Sequence, residues 1–320
     1  MKNDRAYWGR RAAFYLIKDL NCALASHEAI QGIIGRQEDS VLRAVTGLEG
    51  GVVASGSTCG VITGGALGLA LAFDRALQER GPPAEAGITD LVGQYSRWFG
   101  DSYGTTFCRL RSRADFYKPW GQIRYLLPGD RVAGCLWHIR GAIRYLHDRI
   151  RAGLPETGGL SGGAVHQPVH CALGVLDLFR KRTGIGNDPL DRIAFVLDGG
   201  VGLSGGVCGA LVGAILGINL KFGLDIRQGN LRDTIKAFLI GHINLLKEHP
   251  MGAPEPFCIG KEIVANFRQR AGSMNCRELT GQSFEGYDDF QGFIGKAAVC
   301  RGLIEFAADE AVGAIRKWGV

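Results

Sequence analysis

The sequence predicts an all-α protein made of two tandem homologous helical domains that pack about a pseudo-two-fold axis. Apolar residues recur with a helical period along most of the chain, and no segment alternates convincingly as a strand would. The second half of the chain also repeats the first, as its cysteines show. A length of 320 residues suits two domains of about 150 residues each.

An ungapped repeat relates the two halves at an offset of 149 residues. At this offset Cys22 and Cys59 fall on Cys171 and Cys208. The matching positions of segments 48–73 and 197–222 include a shared leucine, serine and cysteine and six shared glycines. Chance does not supply this many identities in one ungapped window, so the chain is interpreted as a tandem duplication.

The repeat continues to two further pairs of cysteines. The offset grows from 149 to 168 at the third pair, which places 19 extra residues between Cys208 and Cys276, where the ninth cysteine, Cys258, lies. Recurrence of four cysteines in both halves favours a chemical role over simple burial. The predicted cofactor- and metal-binding residues are Cys22, Cys59, Cys108 and Cys135 in the first repeat and Cys171, Cys208, Cys276 and Cys300 in the second.

The domain boundary is predicted from composition. The segment 152–168 is rich in Gly, Pro and Ser, which is typical of a linker. It separates a first repeat at 1–151 from a second repeat at 169–320. Periodicity predicts helices at 8–22, 22–34, 39–48, 60–75, 88–99, 132–151, 209–224, 231–247, 259–270 and 297–317.

The cysteines are expected to serve as metal ligands or redox thiols. The first 17 residues lack the apolar stretch and cleavage site of a secretory signal, which predicts a cytoplasmic protein. Structural disulfides are rare in a reducing compartment. Four thiolates per repeat suit either a [2Fe–2S] or [4Fe–4S] cluster or a structural zinc ion. A thiol–disulfide oxidoreductase is the third alternative, although the sequence contains no C-x-x-C.

The second cysteine of each repeat is predicted to lie at the start of a helix. Cys59 and Cys208 each follow a loop of small residues and precede an apolar helical segment. The free N–H groups at a helix start would stabilise a thiolate or offset the negative charge of a cluster.

The motif around these cysteines resembles the C_GCAxxG_C_C family of redox-active proteins. Residues 208–213 match its central Cys-Gly-Ala-x-x-Gly motif fully, and residues 59–64 depart from it only at Val61. The family is similar to the iron–sulfur portion of split-Soret cytochromes, without their haem-binding sequence. The resemblance implies a cluster-binding or thiol redox module in each repeat, with one iron–sulfur cluster per repeat as the leading expectation.

Charge and hydropathy limit the expected partners. The net charge of +6 could steer an acidic redox partner protein towards the surface. The basic stretch at 109–118 is interpreted as a solvated face, so no nucleic-acid partner is expected. Two uncharged segments, 50–73 and 199–220, are long enough to span a bilayer but rich in Gly, Ser and Thr. They are interpreted as loops followed by buried core helices, so no membrane span is expected.

Other residues near the cysteines have several interpretations. His138 and His170 have no counterpart in the other repeat, which favours local structural roles. Glu49 and Asp198 do recur, and they fit proton relays or turn caps equally well. Cys258 is interpreted as a spare thiol or as a replacement ligand in the second repeat.

Overall fold

The computed structural model describes residues 4–155, 168–248, 251 and 255–319. Within these residues the chain is helical, and its only β structure consists of two isolated bridges. The all-α prediction is therefore confirmed. Most of the predicted linker, residues 156–167, lies outside the described residues, and the domain limits at 151 and 169 stay predictions.

The described part of the first repeat has nine α-helices, and a 3-10 helix at Val45–Leu48 follows the third of them. The α-helices are α1 Arg5–Asp19, α2 Cys22–Ile34, α3 Asp39–Ala44, α4 Gly60–Ala72, α5 Asp74–Arg80, α6 Pro82–Tyr103, α7 Cys108–Ser112, α8 Pro119–Leu126 and α9 Asp130–Ala152.

The second repeat follows a similar order, with a 3-10 helix at Ala194–Leu197. Its described α-helices are α10 Cys171–Thr183, α11 Asp188–Ile193, α12 Gly209–Phe222, α13 Leu231–Leu246, α14 Pro256–Ala271, α15 Cys276–Thr280, α16 Tyr287–Ile294 and α17 Ala298–Trp318. All the predicted helices are present, although the one predicted at 60–75 is interrupted at Phe73. The prediction missed α10, which has 13 residues, and several helices of five to eight residues, which are too short to show a clear period.

One uniformly apolar helix lies at the centre of each repeat. In α4 every residue from Gly60 to Leu71 is buried, and α12 is buried from Gly209 to Asn219. A helix that is apolar on all sides must be covered on all sides. Helices α2, α6 and α9 cover α4, while α10, α14 and α17 cover α12.

The described residues contain no single helix long and apolar enough to cross a bilayer. Only α4 and α5 taken together pass that test, and they are bent by 56° at the break between them. Because α4 is completely buried inside the protein, its apolar composition is explained by its place in the core.

The two repeats share one continuous hydrophobic core. Helix α12 packs against α3 of the first repeat, and α4 packs against the 3-10 helix of the second. A hydrogen bond also joins equivalent loops, because the Val207 N–H donates to the Thr58 hydroxyl over 2.8 Å. The pseudo-two-fold relation of the repeats stays a prediction.

Candidate functional site

The second and third cysteines of the first repeat are held together by a short antiparallel bridge. The Cys59 N–H donates to the Thr106 carbonyl oxygen over 2.9 Å, and the Cys108 N–H donates to the Ser57 carbonyl oxygen over 2.8 Å. These bonds satisfy donors that the starts of α4 and α7 would otherwise leave without partners. The two helix starts, each with its cysteine, are thereby fixed side by side.

The same bridge recurs in the second repeat. The Cys208 N–H donates to the Met274 carbonyl oxygen, and the Cys276 N–H donates to the Gly206 carbonyl oxygen, both over 2.7 Å. The starts of α12 and α15 therefore meet as those of α4 and α7 do. The 19 extra residues of the second repeat lie between the two segments that form this bridge, and the segments still pair as they do in the first repeat.

The glycine that follows the second cysteine makes room for the first cysteine. A Cβ atom on Gly60 would lie 2.6 Å from the Cys22 sulfur and 2.9 Å from the Leu48 carbonyl oxygen. One helical turn later, a Cβ atom on Gly64 would lie 2.2 Å from the Ala23 carbonyl oxygen. These glycines therefore allow the start of α2, with Cys22, to pack directly against the start of α4.

Equivalent contacts are found in the second repeat. A Cβ atom on Gly209 would lie 2.9 Å from the Cys171 Cβ, and one on Gly213 would lie 2.8 Å from the Ala172 carbonyl oxygen. The glycines of the Cys-Gly-x-x-x-Gly motif thus have a steric role. They bring two helix starts close enough for the first two cysteines to be neighbours.

Replacing Gly64 with alanine is expected to lower the free energy of unfolding by about 1–3 kcal/mol, because the added Cβ would overlap the Ala23 carbonyl oxygen. Gly313→Ala in α17 is the matched control, since no described atom beyond its own local backbone comes within 4 Å of its added Cβ. The control is expected to gain about 0.5–1 kcal/mol from helix propensity. Urea denaturation measures both, and equal effects would contradict the close packing of α2 on α4.

A left-handed backbone turn precedes the second cysteine in both repeats. All residues in 50–54 and 199–203 have positive φ, including the non-glycine residues Val52, Val53 and Leu203. This conformation costs an L-residue about 1–2 kcal/mol. Strained backbone of this kind persists only where the surrounding structure enforces it, and it is concentrated at functional sites. The sequence predicted only a loop of small residues here.

The first two cysteines of each repeat lie at the starts of long helices. Cys22 and Cys171 are the first residues of α2 and α10, while Cys59 and Cys208 are the N-cap residues of α4 and α12. Two backbone N–H groups of the following helix donate to the sulfur of Cys59, and two donate to that of Cys208. The predicted helix-start environment is confirmed, and it favours negative charge on sulfur.

All four cysteines of the second repeat line one crevice. They come from the starts of four helices, α10, α12, α15 and α17. No lysine or arginine is among the lining residues that the structure describes. The other lining residues are Ala210, Leu279, Thr280, Phe284, Phe290, Phe293, Val299 and Leu303.

The crevice is narrow and its thiols are protonated at neutral pH. The space for the centre of a water molecule is about 10 Å³, which is room for about one water. Burial raises the pKa of Cys208 to about 11 and that of Cys276 to about 12. In the described residues, no three Cys, His, Asp or Glu side chains are already arranged to hold a metal ion. Binding a metal here would release protons and draw the sulfurs together.

An arginine lies among the cysteines of the first repeat. The Arg111 Nη2 atom donates to the Cys59 sulfur over 2.6 Å, and Nη1 contacts the His138 ring. Burial opposes the charge of Arg111, but the four surrounding cysteines raise its pKa above the usual value. The interpretation of 109–118 as a solvated face is therefore wrong at Arg111. This side chain turns inward because the buried sulfurs attract its charge.

Cys22 and Cys59 form a hydrogen-bonded pair beside Arg111. Their hydrogen bond and burial raise the pKa of Cys22 well above its usual value. Burial opposes a thiolate at Cys59, but the bond from Cys22 and the charge of Arg111 lower the pKa of Cys59. At the offset of 168, the counterpart of Arg111 in the second repeat is Leu279. The two repeats therefore differ in charge at the centre of the site.

A larger cavity lies beside the cysteines of the first repeat. It offers about 220 Å³ to the centres of water molecules and is lined by Cys22, Cys108 and Cys135 together with Arg111 and Glu49. Burial raises the pKa of the Glu49 carboxyl to about 8, so this group is largely protonated at neutral pH. The cavity thus contains one lasting positive charge and a neutral carboxylic acid.

The second repeat helps to enclose this cavity. Phe238 of α13 is among the lining residues, and the His242 Nε2 lies 3.7 Å from the Glu49 Oε1. Ile17 and Leu126 also line the cavity and are 58% and 51% exposed, so the cavity reaches the surface. The 19 extra residues predicted in the second repeat belong to the interval that contains α13. In the first repeat the shorter α5, between α4 and α6, takes the place that α13 has between α12 and α14.

The remaining candidate residues have structural partners. The Cys171 N–H donates to Asp198 over 2.8 Å, and Asp198 also pairs with His170 at 2.7 Å. Asp198 thus holds the start of α10, and His170 extends this network to Glu85 of the first repeat at 3.5 Å. Cys258 lines neither of the two cavities beside the recurring cysteines and bonds to the Glu255 backbone at the start of α14. These contacts favour its interpretation as a spare thiol.

The fold and the site define a class of protein, an all-helical tandem repeat in which each repeat brings together four cysteines, most of them at helix starts. The chain matches one family model twice, over residues 20–122 and 169–313, and that family is described as putative redox-active protein (C_GCAxxG_C_C). The chain belongs to this family. No curated protein and no solved structure matches the chain. The similarity to split-Soret cytochromes stays a prediction.

Proposed function

We propose that the protein carries electrons and that its second repeat holds an iron–sulfur cluster. The observation that carries this proposal is the crevice in which four thiols converge and whose described lining residues include no lysine or arginine. Four thiolates are the usual donor set of [2Fe–2S] and [4Fe–4S] clusters. A bound cluster would supply one-electron chemistry. The ligands would be Cys171, Cys208, Cys276 and Cys300.

The surroundings of these cysteines suit a buried negative charge. The backbone N–H groups of Ala210 and Leu211 donate to the Cys208 sulfur, and hydrogen bonds to sulfur help to set a cluster's potential. Apolar side chains make up most of the lining of the crevice and leave room for about one water molecule. One of them, Val299, is 46% exposed, so the crevice lies close to the surface. A redox partner protein could dock there, and an acidic one would be steered by the net charge of +6.

The first repeat fits a cluster less well. Arg111 donates to the Cys59 sulfur over 2.6 Å and so lies where a metal bonded to that sulfur would have to approach. A permanent guanidinium cannot lose its proton to make room. We therefore assign the cluster to the second repeat and leave a cluster in the first repeat as an outcome for experiment.

Zinc is the second candidate for the second repeat. The narrow crevice favours a single ion, and structural zinc uses the same four thiolates. Zinc has no redox chemistry of its own, however, while the family is described as redox-active. A cytoplasmic location is also proposed, because the proposed cluster needs reduced cysteines as ligands and a reducing compartment keeps thiols in that state.

Replacing one cysteine in each repeat, in separate variants, tests the assignment of the cluster to the second repeat. Cys208→Ser is expected to remove most of the iron and acid-labile sulfide from protein purified without oxygen, because it removes a proposed ligand. Cys59→Ser is the matched control at the equivalent position and should retain both. Loss of iron from the Cys59 variant alone would contradict the assignment, and zinc in place of iron and sulfide would support the second candidate.

A further inference from the structure

Three features of the first repeat have no counterpart at the cysteines in the described part of the second repeat. An arginine is bonded to the sulfur of Cys59, two thiols share a hydrogen bond, and a cavity of about 220 Å³ reaches the surface. Cys22 is half-buried and lines that cavity, whereas Cys59 is completely buried behind it. The pair therefore has one sulfur, that of Cys22, that a small molecule can reach through the cavity, and one, that of Cys59, that is buried and contacted by Cys22, Arg111 and the start of α4.

We infer that the first repeat is a dithiol–disulfide exchange site, in which Cys22 attacks a small apolar disulfide and Cys59 resolves the mixed disulfide. This site is separate from the proposed cluster and does not depend on it. The three features above assign the roles: the cavity exposes Cys22, the hydrogen bond sets Cys59 next to it, and Arg111 holds negative charge on the pair.

The reaction needs no oxidant other than the substrate disulfide. Cys59 starts as the thiolate beside Arg111 and takes up the Cys22 proton along their hydrogen bond. The Cys22 thiolate then attacks one sulfur of R–S–S–R, which forms a mixed disulfide and releases R–S⁻. Cys59 gives its proton to that leaving group, attacks the Cys22 sulfur and releases a second R–S⁻. The substrate gains two electrons, and the protein retains a Cys22–Cys59 disulfide. The reverse steps with two thiols restore the pair.

The cavity indicates the class of substrate. Its lining is largely apolar, and the exposed Ile17 and Leu126 make its rim apolar too. Aromatic lining residues from both repeats, Phe116, Tyr125 and Phe238, provide faces for a flat apolar group. A small neutral disulfide with aromatic or aliphatic substituents fits this lining better than a charged one.

The test uses 4,4′-dithiodipyridine, a neutral aromatic disulfide whose released thiol absorbs light, with the full-length reduced protein. The wild type is expected to show a fast phase that releases two thiol equivalents, and peptide mass mapping should then find a Cys22–Cys59 disulfide. Cys59→Ser should release one equivalent, more slowly because serine cannot take up the Cys22 proton, and should retain a mixed disulfide on Cys22. Cys22→Ser should lose the fast phase.

Arg111 is a positioning residue in this scheme, and its own variants test that role. Arg111→Leu is expected to slow the fast phase at least about tenfold near neutral pH and to shift its pH profile upward, because less thiolate is present. Arg111→Lys should recover part of the rate. Arg113→Leu removes an exposed charge two residues away and should leave the rate unchanged.

Three outcomes would overturn the inference: absence of a Cys22–Cys59 disulfide after the fast phase, a fast phase that Arg111→Leu leaves unchanged, or iron that stays in the first repeat of the Cys208→Ser protein. The first two measurements involve no metal. Failure of the exchange site is therefore distinguishable from failure of the cluster assignment.

Discussion

The Leu279→Arg variant is expected to lose nearly all of its iron while it remains folded. Leu279 is the counterpart of Arg111 and lines the crevice that the four cysteines of the second repeat form. A guanidinium there could donate to the Cys208 sulfur as Arg111 donates to Cys59, and it would occupy the approach of the metal. Leu279 is only half-buried, so the longer side chain can be accommodated without breaking the core.

Iron and sulfide content after anaerobic reconstitution measure this effect, and circular dichroism verifies the fold. Leu279→Met is the control, because methionine conserves volume without adding charge, and it should retain iron. The thiol exchange of the first repeat should be unchanged in both variants. A folded Leu279→Arg protein with full iron content would show that a positive charge at this position does not prevent a repeat from binding a cluster.

The Gly200→Ala variant is expected to be the most destabilised of the glycine variants, by about 2–5 kcal/mol. Gly200 has φ of 81°, and a Cβ atom there would lie 2.3 Å from the Gly206 N and 2.6 Å from the Gly205 carbonyl carbon. These are backbone atoms of the loop that leads into Cys208, so they cannot move aside cheaply. The cost combines left-handed strain with overpacking.

Gly184→Ala separates these two causes. Gly184 ends α10 with φ of 74°, but no described atom lies within 4 Å of an added Cβ. Only the conformational cost of about 1–2 kcal/mol is expected there. Urea denaturation of the metal-free proteins compares the two variants. Equal losses would mean that the turn before Cys208 is not packed as tightly as described.

Much of the architecture could be predicted from the sequence, because its signals are periodic. The helix α12 and its counterpart α4 are apolar over more than three turns, and their glycines recur every four residues. The four cysteines per repeat follow from the duplication, and the structure gathers those of the second repeat around one crevice. Because the chain is duplicated, comparing its two halves identifies recurring residues that would otherwise require a comparison of several related sequences.

The features that distinguish the repeats could not be predicted in the same way. Arginine is usually found at the protein surface, so the sequence gives no reason to place Arg111 inside. Only the tertiary structure brings its side chain to the Cys59 sulfur. The contribution of α13 to the cavity of the first repeat joins residues that are far apart in the chain, such as Phe238 and Cys22. One difference in the sequence could have indicated that the repeats differ: the residue equivalent to Arg111 in the second repeat is Leu279.

The most direct test of the cluster assignment is the iron, zinc and acid-labile sulfide content of wild-type protein purified without oxygen, together with its visible spectrum. One cluster in the second repeat predicts equal amounts of iron and sulfide, two or four of each per chain, and a brown colour that dithionite bleaches. A colourless protein without sulfide, even after anaerobic reconstitution, would contradict the assignment.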